Sequence, residues 1–132
     1  MATILIVEDE VFIAEVAKMT IEDMGHDALV ATDIDEALIL LRAPQQIDAL
    51  FTDLRLKTAA FSGYAVADQA RKLRPQLRVL YSSGSAMTDK TRALFVEGAH
   101  FLQKPYSQAR LASAIEVMLA VPEAPTRSTP SP

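Results

Sequence analysis

The sequence predicts a doubly wound α/β fold: a five-stranded parallel sheet in the order 2-1-3-4-5, with helices on both faces. Three observations carry this. Short apolar runs alternate strictly with longer segments of helical period, the pattern of repeated βα units. The chain has 132 residues with a hydrophobic share of 50%, enough for one core and too short for two. Four of the apolar runs stop at polar groups of different kinds. Ile4-Leu5-Ile6-Val7 stops at Glu8-Asp9, and Ala49-Leu50-Phe51-Thr52 stops at Asp53. Val79-Leu80-Tyr81 stops at Ser82-Ser83-Gly84, and Phe101-Leu102-Gln103 at Lys104-Pro105. In a parallel sheet those stops share one edge.

Thr3 to Val7 reads as a buried strand, short and rich in Ile and Val. Glu10 to Met24 reads as a helix, because Phe12, Ile13, Val16 and Met19, then Ala17, Thr20 and Met24, recur at helical spacing. Gly25 stops it. Asp27 to Ala31 is the second strand. Asp33, with Glu36 three residues on, resembles a capping box with an acid as cap. The helix from Ile34 to Arg42 follows, closed by Pro44. Ile47 to Thr52 is the third strand and Lys57 to Ser62 a loop. Gly63 to Arg74 is helical up to Pro75. Leu77 to Ser82 is the fourth strand, Met87 to Glu97 a helix stopped by Gly98, and Ala99 to Gln103 the fifth strand. In the last helix, Ser107 to Ala120, Leu111, Ala114, Ile115, Met118 and Leu119 form one apolar stripe. Residues 1–121 make the domain. Beyond them Pro122, Pro125, Pro130 and Pro132 sit among Ser, Thr and Glu, a composition that predicts a disordered tail over 122–132. The strand order is the flavodoxin-like one, whose ligand site lies outside the carboxyl ends of the strands, between strands 1 and 3.

Composition excludes several functions. Lys and Arg number 13 against 17 Asp and Glu, for a net charge of −4. A mildly acidic chain without a basic block is a poor nucleic-acid binder. Without cysteine there is neither disulfide nor thiolate metal site. No basic n-region precedes the first strand, and no run approaches the ~20 apolar residues of a membrane span. A cytoplasmic protein is expected.

The polar edge has its own chemistry. Carboxylates packed together repel by about 4 kcal/mol per pair at ~4 Å and an effective dielectric near 20. A cation shared by Glu8, Asp9 and Asp53 removes the conflict. Oxygen donors without His or Cys fit Mg²⁺, with Mn²⁺ as the alternative, rather than zinc. Mg²⁺ commonly bridges to a phosphate oxygen, so a phosphoryl group is the expected second half of the site. Asp53 is the candidate nucleophile, able to form an acyl phosphate. Lys104 can supply positive charge and Ser83 a hydroxyl donor to the transferring group. Gly84 leaves room for a donor molecule.

With these residues in these positions, the chain resembles a response-regulator receiver domain, the module that takes phosphate from a sensor histidine kinase. The resemblance covers residue 3 to about residue 120, and the spacing of Asp9, Asp53, Ser83 and Lys104 is the family's. It implies that Asp53 is the phosphorylated aspartate and that Asp9 and Asp53 ligate Mg²⁺ directly. Glu8 would act through water, and the Arg55 backbone carbonyl would complete the ligands. Ser83 becomes the switch hydroxyl and Lys104, in a Lys-Pro-Tyr run, the phosphoryl partner. Phe101 stands where the family often carries an aromatic that turns inward on activation. The chain would be a single-domain regulator, similar to the chemotaxis response regulator. It would either relay phosphate or bind a target through the fourth helix, fifth strand and fifth helix, the face receivers also use to dimerise. It departs from the family after the phosphoacceptor. Leu56-Lys57 stand where a Pro is usual, and Gly63 comes later than the family's glycine, so the loop 54–62 is longer.

Other readings are weaker. A haloacid-dehalogenase-type phosphatase needs a second Asp two residues after its nucleophile, and Arg55 stands there. A flavin-binding protein needs a hydroxyl- and Gly-rich loop after the first strand, where Glu8-Asp9 would repel phosphate. A degenerate, binding-only receiver is at odds with the complete set of acids, hydroxyl and lysine. The expected activity is therefore signalling, with only self-catalysed phosphoryl transfer and dephosphorylation. Glu8-Asp9 also suit capping of the first helix. His26 and His100 lie away from the polar edge and read as surface or packing groups. Arg71, Lys72, Arg74 and Arg78, around Pro75, read as a solvated face.

Overall fold

In the computed structural model, residues 1–56 and 62–120 are described. Five strands and five helices alternate along them. They are β1 (Thr3–Val7), α1 (Val11–Asp23), β2 (Asp27–Ala31), α2 (Ile34–Arg42) and β3 (Ala49–Asp53), then α3 (Ser62–Leu73), β4 (Arg78–Ser83), α4 (Asp89–Arg92), β5 (His100–Gln103) and α5 (Gln108–Ala120). The strands form one parallel sheet in the order β2-β1-β3-β4-β5. The predicted architecture and strand order are therefore those observed, with strand ends shifted by a residue or two. Of the loop expected over Lys57 to Ser62, Ser62 instead opens α3, while residues 57–61 and the tail over 122–132 lie outside the described residues.

Alternation along each strand divides the core in two. Leu5, Val7, Leu50, Val79 and Tyr81 face α2 and α3. Ile4, Ile6, Phe51, Leu80 and Leu102 face α1 and α5. The predicted stripe of α5 is the buried one: Leu111, Ile115 and Met118 are fully buried, with Ala114 and Leu119 packed at its margin. Each fully buried side chain of that size stabilises the fold by about 1.5–3 kcal/mol.

Two helices depart from expectation. The apolar period of α1 is real, but its buried face is Ala14, Ala17, Thr20 and Ile21. Small side chains let the helix lie close to the sheet, and the larger Phe12, Val16 and Met19 point outward, Phe12 at 87% exposure. Helix α4 is a single turn, not the expected span from Met87 to Glu97. Past Ala93 the backbone bonds shorten to i→i−3, from Leu94 N to Thr91 O (3.0 Å) and from Phe95 N to Arg92 O (3.1 Å).

Local chemistry accounts for the connections. Asp33 Oδ1 accepts from Glu36 N at 2.8 Å, as a cap should. Glu36 reaches back one residue further than a capping box requires, accepting from Thr32 N at 2.6 Å. Gly25 ends α1 at φ 92, and Gly98 sits at φ 77 in the turn that leads into β5, conformations that favour glycine. The basic cluster is not simply a solvated face. Arg74 donates to the carbonyls of Leu41, Ala43 and Gln45 at 3.2, 2.9 and 2.6 Å. Arg71 donates to those of Leu77 and Glu97, both at 2.8 Å. The exposed Lys72, 3.9 Å from Asp68, fits the solvated reading. His26 Nδ1 accepts from Ala2 N at 2.9 Å, a packing role.

Candidate functional site

Backbone pairing continues just past the strand ends and fixes the residues that leave them. Glu8 N donates to Ala31 O (3.0 Å), Leu54 N to Ser82 O (2.8 Å) and Lys104 N to Ser83 O (2.8 Å). Glu8 and Asp9 leave β1, Asp53 ends β3, Ser83 ends β4 and Lys104 leaves β5. The structure thus brings the predicted residues to one edge.

Lys104 joins them. Its ammonium donates to Glu8 Oε1 and to Asp53 Oδ2, each at 2.9 Å. Both carboxylates are nearly fully buried. Glu8 Oε2 accepts from Glu10 N at 3.1 Å, and Asp53 Oδ1 from Arg55 N at 3.2 Å. The Glu8–Glu10 bond ties the acid pair to the start of α1, whose N-cap, Glu10, makes no side-chain cap of its own. One carboxylate oxygen from each of Glu8, Asp9 and Asp53 lies within 4.8 Å of the others. Three oxygen donors that close, with no nitrogen or sulfur among them, fit a hard divalent cation such as Mg²⁺.

Burial and charge pull on this cluster in opposite directions. Burial is the largest influence on Glu8 and raises its pKa above the usual carboxylate value, more than the hydrogen bond and charge of Lys104 lower it. Burial also acts against the charge on Lys104, but Glu8 and Asp53 together outweigh it and raise that pKa. Tyr106, two residues beyond the Lys104–Pro105 cis peptide bond, packs on Phe51 with ring centroids 6.0 Å apart. Burial, with the Glu8 charge second, pushes its phenol up to about 12.

Ser83 Oγ accepts from Ser85 N at 3.1 Å. Ser83 and Phe101 line a cavity of about 40 Å³ that also touches Arg55 and Tyr64. Phe101 is partly buried against the core, its ring stacked on Phe95 at 6.2 Å. Gly63 lies against the end of β3. Its amide donates to Leu54 O at 3.1 Å, and a Cβ there would collide with the Asp53 carbonyl oxygen and come within 2.6 Å of Leu54 Cα. Although it falls late in the sequence, Gly63 provides a close approach that only glycine allows. A Cβ on Gly84 would meet nothing, so the space there is open with or without glycine.

Beside the acids an apolar groove of about 560 Å³ runs between Phe12, Ile13 and Val16 of α1 and Pro105 and Tyr106, reaching Lys104 and Gly84. In the sequence Phe12 counts only towards the helical period of α1, and Tyr106 has no role of its own. The available signals were a Phe three residues after the acid pair and a Tyr next to Lys104-Pro105. Tyr81 was missed as well, because an aromatic inside an apolar strand reads as plain core.

Three clustered carboxylates, a hydroxyl and a lysine at the carboxyl edge of a 2-1-3-4-5 sheet are the groups of a receiver-type signalling domain. The chain belongs to the response regulator receiver domain family, whose model matches residues 4–116. Receivers of this family accept phosphoryl groups in two-component signalling, bind Mg²⁺ at an acidic pocket and work with a histidine kinase or phosphotransfer partner. The chain is 31% identical over 109 residues to the nitrogen assimilation regulatory protein NtrX of Azorhizobium caulinodans, covering 82% of this chain and 24% of that protein. It is 25% identical to the probable transcriptional regulator ycf27 of Cyanophora paradoxa, covering 97% of this chain and 52% of that one. The chain therefore spans about a quarter to half the length of these relatives. The crystal structure of a response regulator receiver protein from Sinorhizobium medicae superposes with a TM-score of 0.81 at 28% identity, covering 90% of this chain and 94% of that one. No helix among the described residues is long and apolar enough to cross a membrane.

Proposed function

We propose that Asp53 accepts a phosphoryl group from a phosphohistidine in a Mg²⁺-dependent reaction, and that the resulting acyl phosphate drives a conformational switch or is relayed onward. The observation that carries this is the bonding of Asp53: Oδ2 held by Lys104, Oδ1 by Arg55 N, and two further acids within 4.8 Å. The carboxylate attacks phosphorus, the bond to the imidazole nitrogen breaks, and that nitrogen keeps the electron pair.

Glu8, Asp9, Asp53 and the Arg55 carbonyl are the groups that would hold Mg²⁺. When bound it neutralises the crowded anions and charge on the transferring oxygens. Lys104 stays charged throughout the neutral range because two carboxylates hold its proton. It is therefore available to pair with the phosphoryl group. Ser83 would turn its hydroxyl to a phosphoryl oxygen, and Phe101 would follow into the space Ser83 leaves. The groove from Phe12 to Tyr106 opens beside the acceptor, and its apolar walls suit the helix that carries a donor histidine.

The test is incubation with Mg²⁺ and acetyl phosphate, followed by mass spectrometry of the Asp53 peptide. An acid-stable, base-labile phosphoryl adduct is expected, lost in Asp53→Ala. Absence of any adduct, or one that persists in the variant, would overturn the proposal.

A further inference from the structure

Helix α4 ends after one turn although its own sequence does not end it. Residues Ala93 to Glu97 contain neither Pro nor Gly, and the first glycine is Gly98. The amides of Arg92 and Ala93 donate four residues back, to Thr88 O and Asp89 O at 2.9 and 3.1 Å. The next two donate three back. Val96 N, which an α-helix would direct to Arg92 O, donates instead to the Tyr81 phenol oxygen at 3.1 Å.

Tyr81 is fully buried in β4. It stands two residues before Ser83, hence on the same face of the sheet, and pairs in register with Phe101. Its ring centroid lies 4.3 Å from that of Phe95 and 5.8 Å from that of Tyr64. Phe95 in turn stacks on Phe101. One side chain therefore touches the segment after α4, the neighbour of the β5 aromatic and the start of α3, from the strand that bears Ser83. Phenylalanine would fill this core equally well. What tyrosine adds is an acceptor for the amide at which the helix stops.

We infer that Tyr81 is a latch: its phenol holds the Val96 amide and its ring holds Phe95, fixing α4 at one turn, and its release lets α4 lengthen towards Gly98. The trigger rests on the phosphoacceptor reading: a shift of Ser83 towards phosphorylated Asp53 moves the strand end two residues from Tyr81. Lengthening would turn the exposed Leu94 and redraw the surface around α4 that a target meets. Tyr81 thus acts as a positioning residue and touches no reacting atom.

The test is NMR on the full chain, reading backbone shifts of residues 93–96. Tyr81→Phe keeps the ring and removes the acceptor, so these residues should move towards helical values without any phosphoryl mimic. Unchanged shifts would overturn the latch, since a merely structural tyrosine would lower stability and leave α4 as it is. The wild type with beryllofluoride and Mg²⁺ gives a second readout should the variant fail to fold. Asp53, Ser83 and Lys104 should respond together with residues 93–96, and the Val96 amide should lose its phenol partner. Response at the first three with none at 93–96 refutes the latch alone. If no residue responds, the phosphoacceptor reading fails, and Tyr81→Phe still decides whether the phenol sets the length of α4.

Discussion

At Lys104 one ammonium answers two carboxylates that would otherwise repel. Removing it leaves Glu8 and Asp53 facing each other nearly buried. Breaking a buried pair costs about 3–5 kcal/mol, and here the low end is expected because Glu8 can take a proton instead. Urea unfolding of metal-free Lys104→Ala should show a loss of about 3 kcal/mol, shrinking when Mg²⁺ supplies the missing charge. An equal loss with and without Mg²⁺ would show that the lysine matters for packing and not for charge. The variant should still accept phosphate from acetyl phosphate, but phosphorylation should no longer change target affinity. Gly63 makes a different demand. Its missing side chain is what allows α3 to start against the Asp53–Leu54 backbone. Gly63→Ala should cost about 1–3 kcal/mol, the usual price of overpacking, and should slow phosphorylation by displacing Asp53. A variant as stable as wild type in a denaturant titration would contradict that contact.

Elements differ in how far their sequence alone describes them. The β1 and β3 runs are near-continuous apolar stretches with abrupt polar ends, and burial on both faces requires that pattern, whereas β5, at the sheet edge, is only part buried and holds two apolar residues between His100 and Gln103. The same ends located Glu8, Asp9, Asp53, Ser83 and Lys104 in the sequence, since a strand's last residue reaches the carboxyl edge whatever its neighbours do. Helix α1 was legible as a helix but not in its orientation, because Ala14 and Ala17 bury through closeness of approach, which a hydrophobicity pattern does not record. Helix α4 was misread in length because the group that ends it, Tyr81, comes from another element. Arg74 was misread for the same reason: its acceptors lie about 30 residues away, near the end of α2 and the entry to β3. This last case gives an element-scale prediction. Arg74→Ala should free three carbonyls between α2 and β3 and destabilise by about 1–3 kcal/mol. Arg74→Lys should recover little, since an ammonium cannot reproduce the planar fork. Full recovery by lysine in thermal unfolding would mean that charge, not geometry, ties these elements.

At the scale of the whole molecule, the acid edge links stability to Mg²⁺ and to pH. Assembled only by folding, the three carboxylates exist as a site only in the native state. Mg²⁺ should therefore raise stability by about 2.7 kcal/mol at a hundredfold excess over its dissociation constant. The pH dependence follows from Glu8, whose pKa is raised in the fold, chiefly by burial. An acid with a raised folded pKa binds its proton more tightly folded than unfolded. Its charged form is therefore a cost above the folded pKa, relieved as pH falls through it. A metal held by that same carboxylate would need it deprotonated. Acidification therefore favours the metal-free fold at Glu8 while weakening the Mg²⁺ complex, and the two stabilities converge. Lys104 does not disturb this window. Its pKa is raised as well, so its contribution is complete below the ordinary lysine value of 10.5 and is lost only as pH rises through the folded value. The measurement is the melting temperature with and without saturating Mg²⁺ from about pH 8 to about pH 5, spanning the range above the ordinary Glu value. The increment should fall steadily with pH in the wild type. In Glu8→Gln it should be smaller at the alkaline end and flatter throughout. An increment in the variant that still falls as steeply as in the wild type would assign the titration to another group and remove Glu8 from the linkage.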